Sequence, residues 1–238
     1  MGVATIDIEQ VAHDLETKTA QNVMAWALET YHPQIALAWS GAEDVVVADI
    51  MLKINREARI FTLDTGRLNP ETYDVIDRVR EHYGCDIEVM FPDFAKVEQM
   101  VRVKGMNLFY DAVDNRKECC GVRKVEPLRR MLGTLEAWVT GLRRDQAVTR
   151  TFLPKVQIDV AFGDIVKVNP IADWSHEQVW DYIKSNNVPY NKLHDMGYPS
   201  IGCAPCTRQV QPGEDIRAGR WWWENPETKE CGLHVKQR

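Results

Sequence analysis

Long apolar runs, an excess of positive charge and sequence repeats are all missing from this chain of 238 residues. No apolar stretch approaches the ~18 residues that a membrane-spanning helix requires, so no membrane partner is predicted. Aspartate and glutamate (35) outnumber lysine and arginine (29), and the net charge of -6 argues against a nucleic-acid partner. The first residues have no basic segment followed by an apolar one, so no secretory signal is expected and a cytoplasmic location is predicted.

Two common phosphate-binding signatures are missing as well. The chain has no G-x-x-x-x-G-K-[ST], which disfavours a P-loop NTPase, and no G-x-G-x-x-G that opens a helix after a strand. A disulfide framework is not expected, because thiols stay reduced in the cytosol. The six cysteines therefore predict metal ligands, nucleophiles or small buried side chains.

Short apolar runs alternate with helical patterns along most of the chain. Strands are predicted at residues 35–39, 58–64, 87–91, 137–141 and 165–170, and helices at about 8–30, 43–54, 69–83, 93–104 and 175–185. This alternation is typical of βαβ units. It predicts an α/β fold with a five-stranded, mainly parallel sheet and helices on both faces. We expect one α/β domain over residues 1–210 and an irregular C-terminal tail over residues 211–238.

The carboxyl ends of parallel strands are where such sheets bind ligands. Three segments follow predicted strands at that edge: Ser40–Gly41, residues 64–67 and residues 141–144. The first belongs to S-G-A-E-D, whose free amides at a helix N-terminus would attract an anion. The letters from Ser40 to Glu43 also form a capping box, S-x-x-E. The motif therefore supports both an anion site and an ordinary helix start.

Four of the six cysteines have the spacing of ligands. Cys119 and Cys120 are adjacent, and Cys203 and Cys206 form a C-x-x-C. Neighbouring Cα atoms are about 3.8 Å apart, less than the ~4.4–6.8 Å usual across a disulfide, so the adjacent pair is not expected to bridge itself. Adjacent thiolates also fit poorly around one tetrahedral ion, whereas a [4Fe–4S] cluster offers each a separate iron. The pattern favours the cluster over zinc, with buried structural cysteines as the alternative. Cys85 has no partner at ligand spacing and is expected to be structural.

Cys231, in K-E-C-G-L-H, has Lys229, His234 and Lys236 close in sequence. Nearby cations lower the pKa of a thiol, and a thiolate is a nucleophile. A tail cysteine without a role explains the local sequence equally well.

Arginine and lysine side chains cluster beside the other candidate features. Arg123 and Lys124 follow the cysteine pair, Arg143 and Arg144 follow a strand, and Arg217 and Arg220 come before three tryptophans. In an acidic chain, such positions favour a small polyanion as the ligand.

Seven motifs together resemble the assimilatory sulfonucleotide reductases, and among them the bacterial iron–sulfur type that acts on adenosine 5′-phosphosulfate (adenylylsulfate). They are S-G-A-E-D-V, L-D-T-G-R-L-N-P-E-T-Y, C-C-G-V-R-K-V-E-P-L, T-G-L-R-R-D-Q, D-W-S-H-E-Q-V-W-D-Y-I, Y-P-S-I-G-C-A-P-C-T-R, and R-W-W-W-E followed by K-E-C-G-L-H. The resemblance covers residues 35–234. One departure is S-G-A, where many relatives in the wider superfamily have S-G-G.

The resemblance implies an adenine nucleotide α-hydrolase-like, nucleotide-binding fold and a [4Fe–4S] cluster on Cys119, Cys120, Cys203 and Cys206. It implies that Cys231, on a catalytic tail, attacks the sulfur of adenylylsulfate and releases AMP. Thioredoxin, expected as a separate protein because no thioredoxin-like domain follows C-G-L-H, then frees sulfite. The substrate contacts implied are Ser40, Leu63, Thr65, Lys124, Gly141, Arg143, Arg217, Arg220 and His234.

Three other functions stay open at this point. A 3′-phosphoadenylylsulfate reductase would use the same chemistry, although relatives restricted to that substrate generally lack the cluster cysteines. A tRNA sulfur-transfer enzyme of the same superfamily is more remote, given the S-G-A-E-D loop and the acidic net charge. The non-enzymatic alternative is a zinc-binding interaction module. The sequence also leaves a homo-oligomer open.

Overall fold

The computed structural model describes residues 6–146, 150–225 and 229, and its centre is one sheet. The strands are β1 Ile35–Ala38, β2 Arg59–Leu63, β3 Ile87–Met90, β4 Ala137–Val139, β5 Val156–Asp159 and β6 Ile165–Val168. Their order across the sheet is β3-β2-β1-β4-β6-β5. Every neighbouring pair is parallel except β5 and β6. The predicted α/β class and mainly parallel sheet are confirmed.

The predicted count of five strands was wrong, because β5 adds a sixth at one edge. Its sequence, V-Q-I-D, is only four residues long and pairs antiparallel with β6. Antiparallel neighbours need only a short connection, and here it is the turn Val160–Phe162 followed by Gly163. The sequence therefore has no helical pattern between β5 and β6 that would indicate a separate strand.

Eight α-helices lie within the described residues: α1 Ile8–Leu15, α2 Ala20–Tyr31, α3 Ala42–Ile54, α4 Pro70–Tyr83, α5 Phe94–Lys104, α6 Val113–Cys120, α7 Glu126–Leu132 and α8 His176–Asn186. The single helix expected over residues 8–30 is in fact two. Thr19 begins the second, since its hydroxyl accepts a hydrogen bond from the Asn22 amide at 3.2 Å. No helix among the described residues is both long and apolar enough to cross a membrane.

Helices cover both faces of the sheet, because successive apolar side chains along each central strand point to opposite faces. Leu37 and Val139 point into the larger core, which the apolar sides of α2, α3, α4 and α8 complete. Their neighbours Ala36 and Trp138 face the opposite side and pack against α7. The central strands β1 and β4 therefore bury both their faces, which explains why they are short continuous apolar runs. Cys85 packs at the edge of the larger core, and its expected structural role stays a prediction.

A third, smaller core lies beside the sheet and contains cysteines. It consists of Met100, Leu108, Phe109, Cys203, Cys206 and Trp221, with Cys119 and Val122 packed against it. Segments far apart in sequence meet here, so this cluster joins the C-terminal residues to the α/β domain.

Candidate active site

The four cysteines with ligand spacing come together at one place. Cys119 and Cys120 end α6, and Cys203 and Cys206 flank a short 3₁₀ turn. All four line a single cavity of about 20 Å³, which Arg116, Arg123, Lys124 and Trp221 also line. Among the described residues, no three His, Cys, Asp or Glu side chains converge as ligands of a single metal ion. The site is a group of four thiols surrounded by arginine and lysine side chains.

The chain at the cysteine pair departs from regular α-helix. Residues Gly121–Val125 form a π-helical turn that connects α6 to α7. A π-helical turn adds a residue to the helix, and such turns are frequent at functional sites. Here it lies between the cysteine pair and α7 and carries Arg123 and Lys124, both of which line the cavity.

The pKa values of the thiols are shifted in different directions. Burial, and then the neighbouring Cys120, raise the pKa of Cys119 to about 11. Burial and Cys203 raise the pKa of Cys206 to about 12. These directions follow because a thiolate loses solvation in the interior and is repelled by other thiolates.

Cys203 is the exception, and its pKa is lowered. Burial would raise this pKa, but Lys124 lowers it through its charge and a hydrogen bond. The Thr65 hydroxyl, 3.3 Å from the Cys203 sulfur, adds a further hydrogen bond. The predicted substrate contacts Thr65 and Lys124 therefore also favour the thiolate form of Cys203.

Arg220 lies against the C-x-x-C segment with little space around it. Its guanidinium donates to the carbonyl of Ile201 at 3.1 Å and to the hydroxyl of Ser200 at 3.3 Å. A Cβ atom at Gly202 would lie 2.4 Å from Arg220 Nη2, so a larger residue there would displace the guanidinium. The Arg220 charge contributes to lowering the Cys203 pKa. This predicted anion contact is thus fixed beside the cysteine site.

Trp221 lies between two guanidinium groups. Arg220 lies 4.8 Å and Arg116 4.7 Å from its ring centroid, distances typical of cation–π contacts. Arg116 also makes two hydrogen bonds to the carboxylate of Glu224, at 2.9 and 2.8 Å. The sequence alone did not point to Arg116 or Glu224, because their contact joins positions 108 residues apart and neither belongs to a local motif.

The S-G-A-E-D loop is built differently from the expected capping box. The helix begins after Gly41, so Asp44, not Glu43, is the acidic residue that accepts from the loop. One Asp44 oxygen accepts from the amides of Ser40 and Gly41, at 2.9 and 2.8 Å. The other accepts from the amide of Gly141 at 2.9 Å. Asp44 thereby joins the loops after β1 and β4.

The Glu43 carboxylate pairs with the buried Arg143 at 2.9 Å. Burial opposes ionisation of Glu43, but this hydrogen bond and the arginine charge lower its pKa overall. Arg143 also bonds Asp145. Arg143 therefore holds two carboxylates of the protein itself, and its expected contact with substrate stays a prediction.

The remaining predicted site residues are only partly within the described chain. Leu63 is the last residue of β2, where it packs against the core between the sheet and α7. The Arg217 guanidinium approaches the carbonyl of Lys229, with a nitrogen–oxygen distance of 3.5 Å. Cys231 and His234 lie outside the described residues. The structure thus unites the four cysteines, Thr65, Lys124 and Arg220, and separately Ser40 with Gly141.

These features define an α/β protein with a basic, four-cysteine site beside its mainly parallel sheet. The family described as the phosphoadenosine phosphosulfate reductase domain matches residues 34–209. The chain belongs to this family, which confirms the predicted resemblance to the sulfonucleotide reductases.

Individual relatives extend the match over nearly all of the chain. The adenosine 5′-phosphosulfate reductase of Pseudomonas aeruginosa is 48% identical over 234 residues, covering 96% of this chain and 87% of the relative. The chloroplastic 5′-adenylylsulfate reductase 1 of Arabidopsis thaliana is 50% identical over 236 residues, covering 96% of this chain and 50% of the relative. The chain thus spans about half the length of the plant relatives. Among solved structures, a phosphoadenylyl-sulfate reductase from Candida auris superposes with a TM-score of 0.73 at 29% identity, covering 88% of this chain and 99% of the other.

Proposed function

We propose that the chain reduces adenosine 5′-phosphosulfate to sulfite and AMP in sulfate assimilation, with thioredoxin as the electron donor. The observation that carries the proposal is the meeting of four cysteines with Lys124 and Arg220 at one site. The bacterial relatives named for this substrate support it. The cytoplasm is the proposed location.

The four-cysteine donor set fits an iron–sulfur cluster. Cys119, Cys120, Cys203 and Cys206 line one cavity, and four cationic side chains line it too. Cations favour the thiolate form that ligates iron. We propose that these cysteines hold a [4Fe–4S] cluster. When bound, the cluster would supply a fixed charge at the site that these cysteines share with Lys124.

The proposed reaction starts with the thiolate of Cys231. It attacks the sulfur of adenylylsulfate, a sulfur–sulfur bond forms, and the bond from sulfur to the bridging oxygen breaks. That oxygen stays on the phosphate, so AMP leaves with the electron pair and Cys231 keeps an S-sulfo group. No electron transfer from another cofactor is required in this step.

Thioredoxin completes the cycle with two thiols. One thiolate attacks the Cys231 sulfur, which releases sulfite and leaves a mixed disulfide between the proteins. The second thiol then displaces Cys231 and forms the thioredoxin disulfide. Two electrons thus pass from thioredoxin to the sulfur that leaves as sulfite.

The substrate contacts divide into two groups in this proposal. Ser40, Leu63, Thr65 and Gly141, which come after or at the ends of β1, β2 and β4, would hold the nucleoside. Lys124, Arg217, Arg220 and His234 would hold the phosphosulfate group. Fixed cations at that end stabilise the charge that develops on the leaving phosphate, because they need no rearrangement during the reaction.

A labelling experiment tests the proposal. The anaerobically purified chain is mixed with sulfur-labelled adenylylsulfate without thioredoxin, and its peptides are analysed. We expect label on the peptide that contains Cys231 and its release as sulfite when thioredoxin is added. Cys231→Ser should bind AMP and keep its visible iron–sulfur absorption but produce no sulfite, while Cys85→Ser, at a structural cysteine, should react normally. Label on another peptide, or turnover by Cys231→Ser, would contradict the mechanism.

The second candidate is reduction of 3′-phosphoadenylylsulfate. The likeness to the Candida auris structure favours it, because that protein is named for this substrate. The two functions are separated by measuring kcat/KM for both nucleotides under the same conditions. We expect the value to be higher for adenosine 5′-phosphosulfate.

A further inference from the structure

The buried ion pair of Arg116 and Glu224 joins the cysteine site to the C-terminal residues. The two side chains are 1% and 2% exposed, and they make two parallel hydrogen bonds. Arg116 is on α6, the helix that ends at the cysteine pair. Glu224 ends the R-W-W-W-E segment. One contact thus connects the helix that carries two cysteines to the chain that continues toward Cys231.

Arg116 also contacts the cysteine site directly. It donates a hydrogen bond to the Cys120 side chain in addition to its bonds to Glu224. Its guanidinium lies over the ring of Trp221, which itself lines the cysteine cavity. Arg116 therefore has three kinds of partner: a thiol, a carboxylate and an aromatic ring.

Stability alone is a weak explanation for such a pair. Two buried charges lose their hydration, and this cost often cancels their attraction, so apolar residues of the same size can be equally stabilising. What two parallel hydrogen bonds supply is geometry, because the planar guanidinium fixes the direction of the carboxylate. The position of Glu224 relative to Cys120 is therefore defined by Arg116.

We propose that the Arg116–Glu224 pair positions the C-terminal segment for catalysis. It holds Glu224 beside Cys120 and so fixes the point from which the chain leads, seven residues later, to Cys231. The inference rests on the proposed function, since it concerns the transfer of the sulfo group to Cys231. Arg116 and Glu224 are positioning residues in this proposal and do not touch the substrate.

The test compares Glu224→Gln with a matched control. Glutamine keeps the shape of the side chain but removes the charge. The control is Glu214→Gln, which affects a second bidentate pair, with Arg208, in the same part of the chain, but one whose side chains are 34% exposed. Label transfer from adenylylsulfate to Cys231 is measured in a single turnover without thioredoxin. AMP affinity and the visible circular dichroism of the iron–sulfur site are measured on the same samples.

We expect Glu224→Gln to slow label transfer by about 100-fold, the typical effect of a misplacement of roughly 1 Å. AMP affinity and the dichroism spectrum should stay unchanged, and Glu214→Gln should behave as the unaltered chain. Arg116→Lys keeps the positive charge but cannot make two parallel hydrogen bonds, so it should also slow transfer. It supplies the same comparison if Glu224→Gln does not fold.

Two results would overturn the inference. Normal transfer rates in both variants would show that the pair does not position Cys231. Loss of AMP affinity or of the spectrum in proportion to the loss of transfer would show that the pair only maintains the fold. If the unaltered chain acquires no label on Cys231, the proposed function itself fails and this inference fails with it.

Discussion

Gly141→Ala is expected to destabilise the chain strongly, because the structure leaves no space for a side chain at this position. A Cβ atom there would lie 2.6 Å from an Asp44 carboxylate oxygen, 2.7 Å from the Glu43 Cβ and 2.8 Å from the Glu43 backbone carbon. Two of these atoms belong to or adjoin the backbone of α3 and cannot rotate away. The loop after β4 must therefore move from α3, and its amide loses Asp44 as an acceptor.

Two contributions set the size of the effect. Overpacking in a well-packed region costs about 1–3 kcal/mol, and a hydrogen bond to a buried charged group contributes about 1.5–3 kcal/mol. We expect the free energy of unfolding to fall by about 3–5 kcal/mol and AMP to bind more weakly. Gly121→Ala is the control, since a Cβ atom there meets nothing within 4 Å and the residue has helical backbone angles. It should stabilise the chain by about 0.4–1 kcal/mol.

Both variants are measured by anaerobic urea unfolding, followed by far-UV circular dichroism, and by equilibrium binding of AMP. The expected changes in the free energy of unfolding have opposite signs, so the two variants are clearly distinguished. A Gly141→Ala variant within about 0.5 kcal/mol of the unaltered chain, the range of ordinary surface substitutions, would refute the close packing of this loop against α3.

Three further predictions concern buried charges. Burial and then Glu43 raise the pKa of Asp44 from 3.8 to about 6. The folded chain therefore binds this proton more tightly than the unfolded chain, and the free energy of unfolding should lose about 3 kcal/mol through this group as the pH rises from well below ~4 to well above ~6. Asp44→Asn should remove that part of the pH dependence in urea unfolding; an unchanged slope would contradict the assignment. Arg143→Met removes the cation from the Glu43 carboxylate, whose side chain is 22% exposed, and should cost about 1–3 kcal/mol in the same assay, whereas a loss below about 0.5 kcal/mol would show that the pair is not needed. Burial and Asp49 raise the pKa of Tyr83, so Asp49→Asn should lower this pKa in a spectroscopic titration of tyrosinate, and no change would exclude the contact.

The fold was predictable where local patterns and long-range structure agree. The five predicted strands are present because each contributes apolar side chains to the cores on the two faces of the sheet. The α4 helix was predicted from Asn69, Pro70 and Gly84, and Gly84 has the left-handed φ of 62° that favours glycine at a helix end. The edge strand β5 was missed because its four residues alternate apolar and polar without a helix before β6.

The sequence motifs predicted which cysteines meet at the site, but they did not predict which side chains contact each other around it. The meeting of the cysteine pair with the C-x-x-C follows from motifs that the sequence displays. Asp44 was missed, although it is in S-G-A-E-D, because the helix start lies one residue later than the capping-box spacing indicates. The Arg116–Glu224 pair depends on the tertiary fold, and no local spacing predicts a contact across that distance.

The π-helical turn at residues 121–125 has a consequence for insertions and deletions. Because this turn holds one residue more than a regular α-helix would, removing one residue would let α6 continue into α7 as regular α-helix. The wider turn, which carries Arg123 and Lys124 at the cysteine cavity, would then be lost. The turn therefore accepts a change of side chain at Gly121 but no change in length, and the number of residues between the cysteine pair and α7 is itself part of the site.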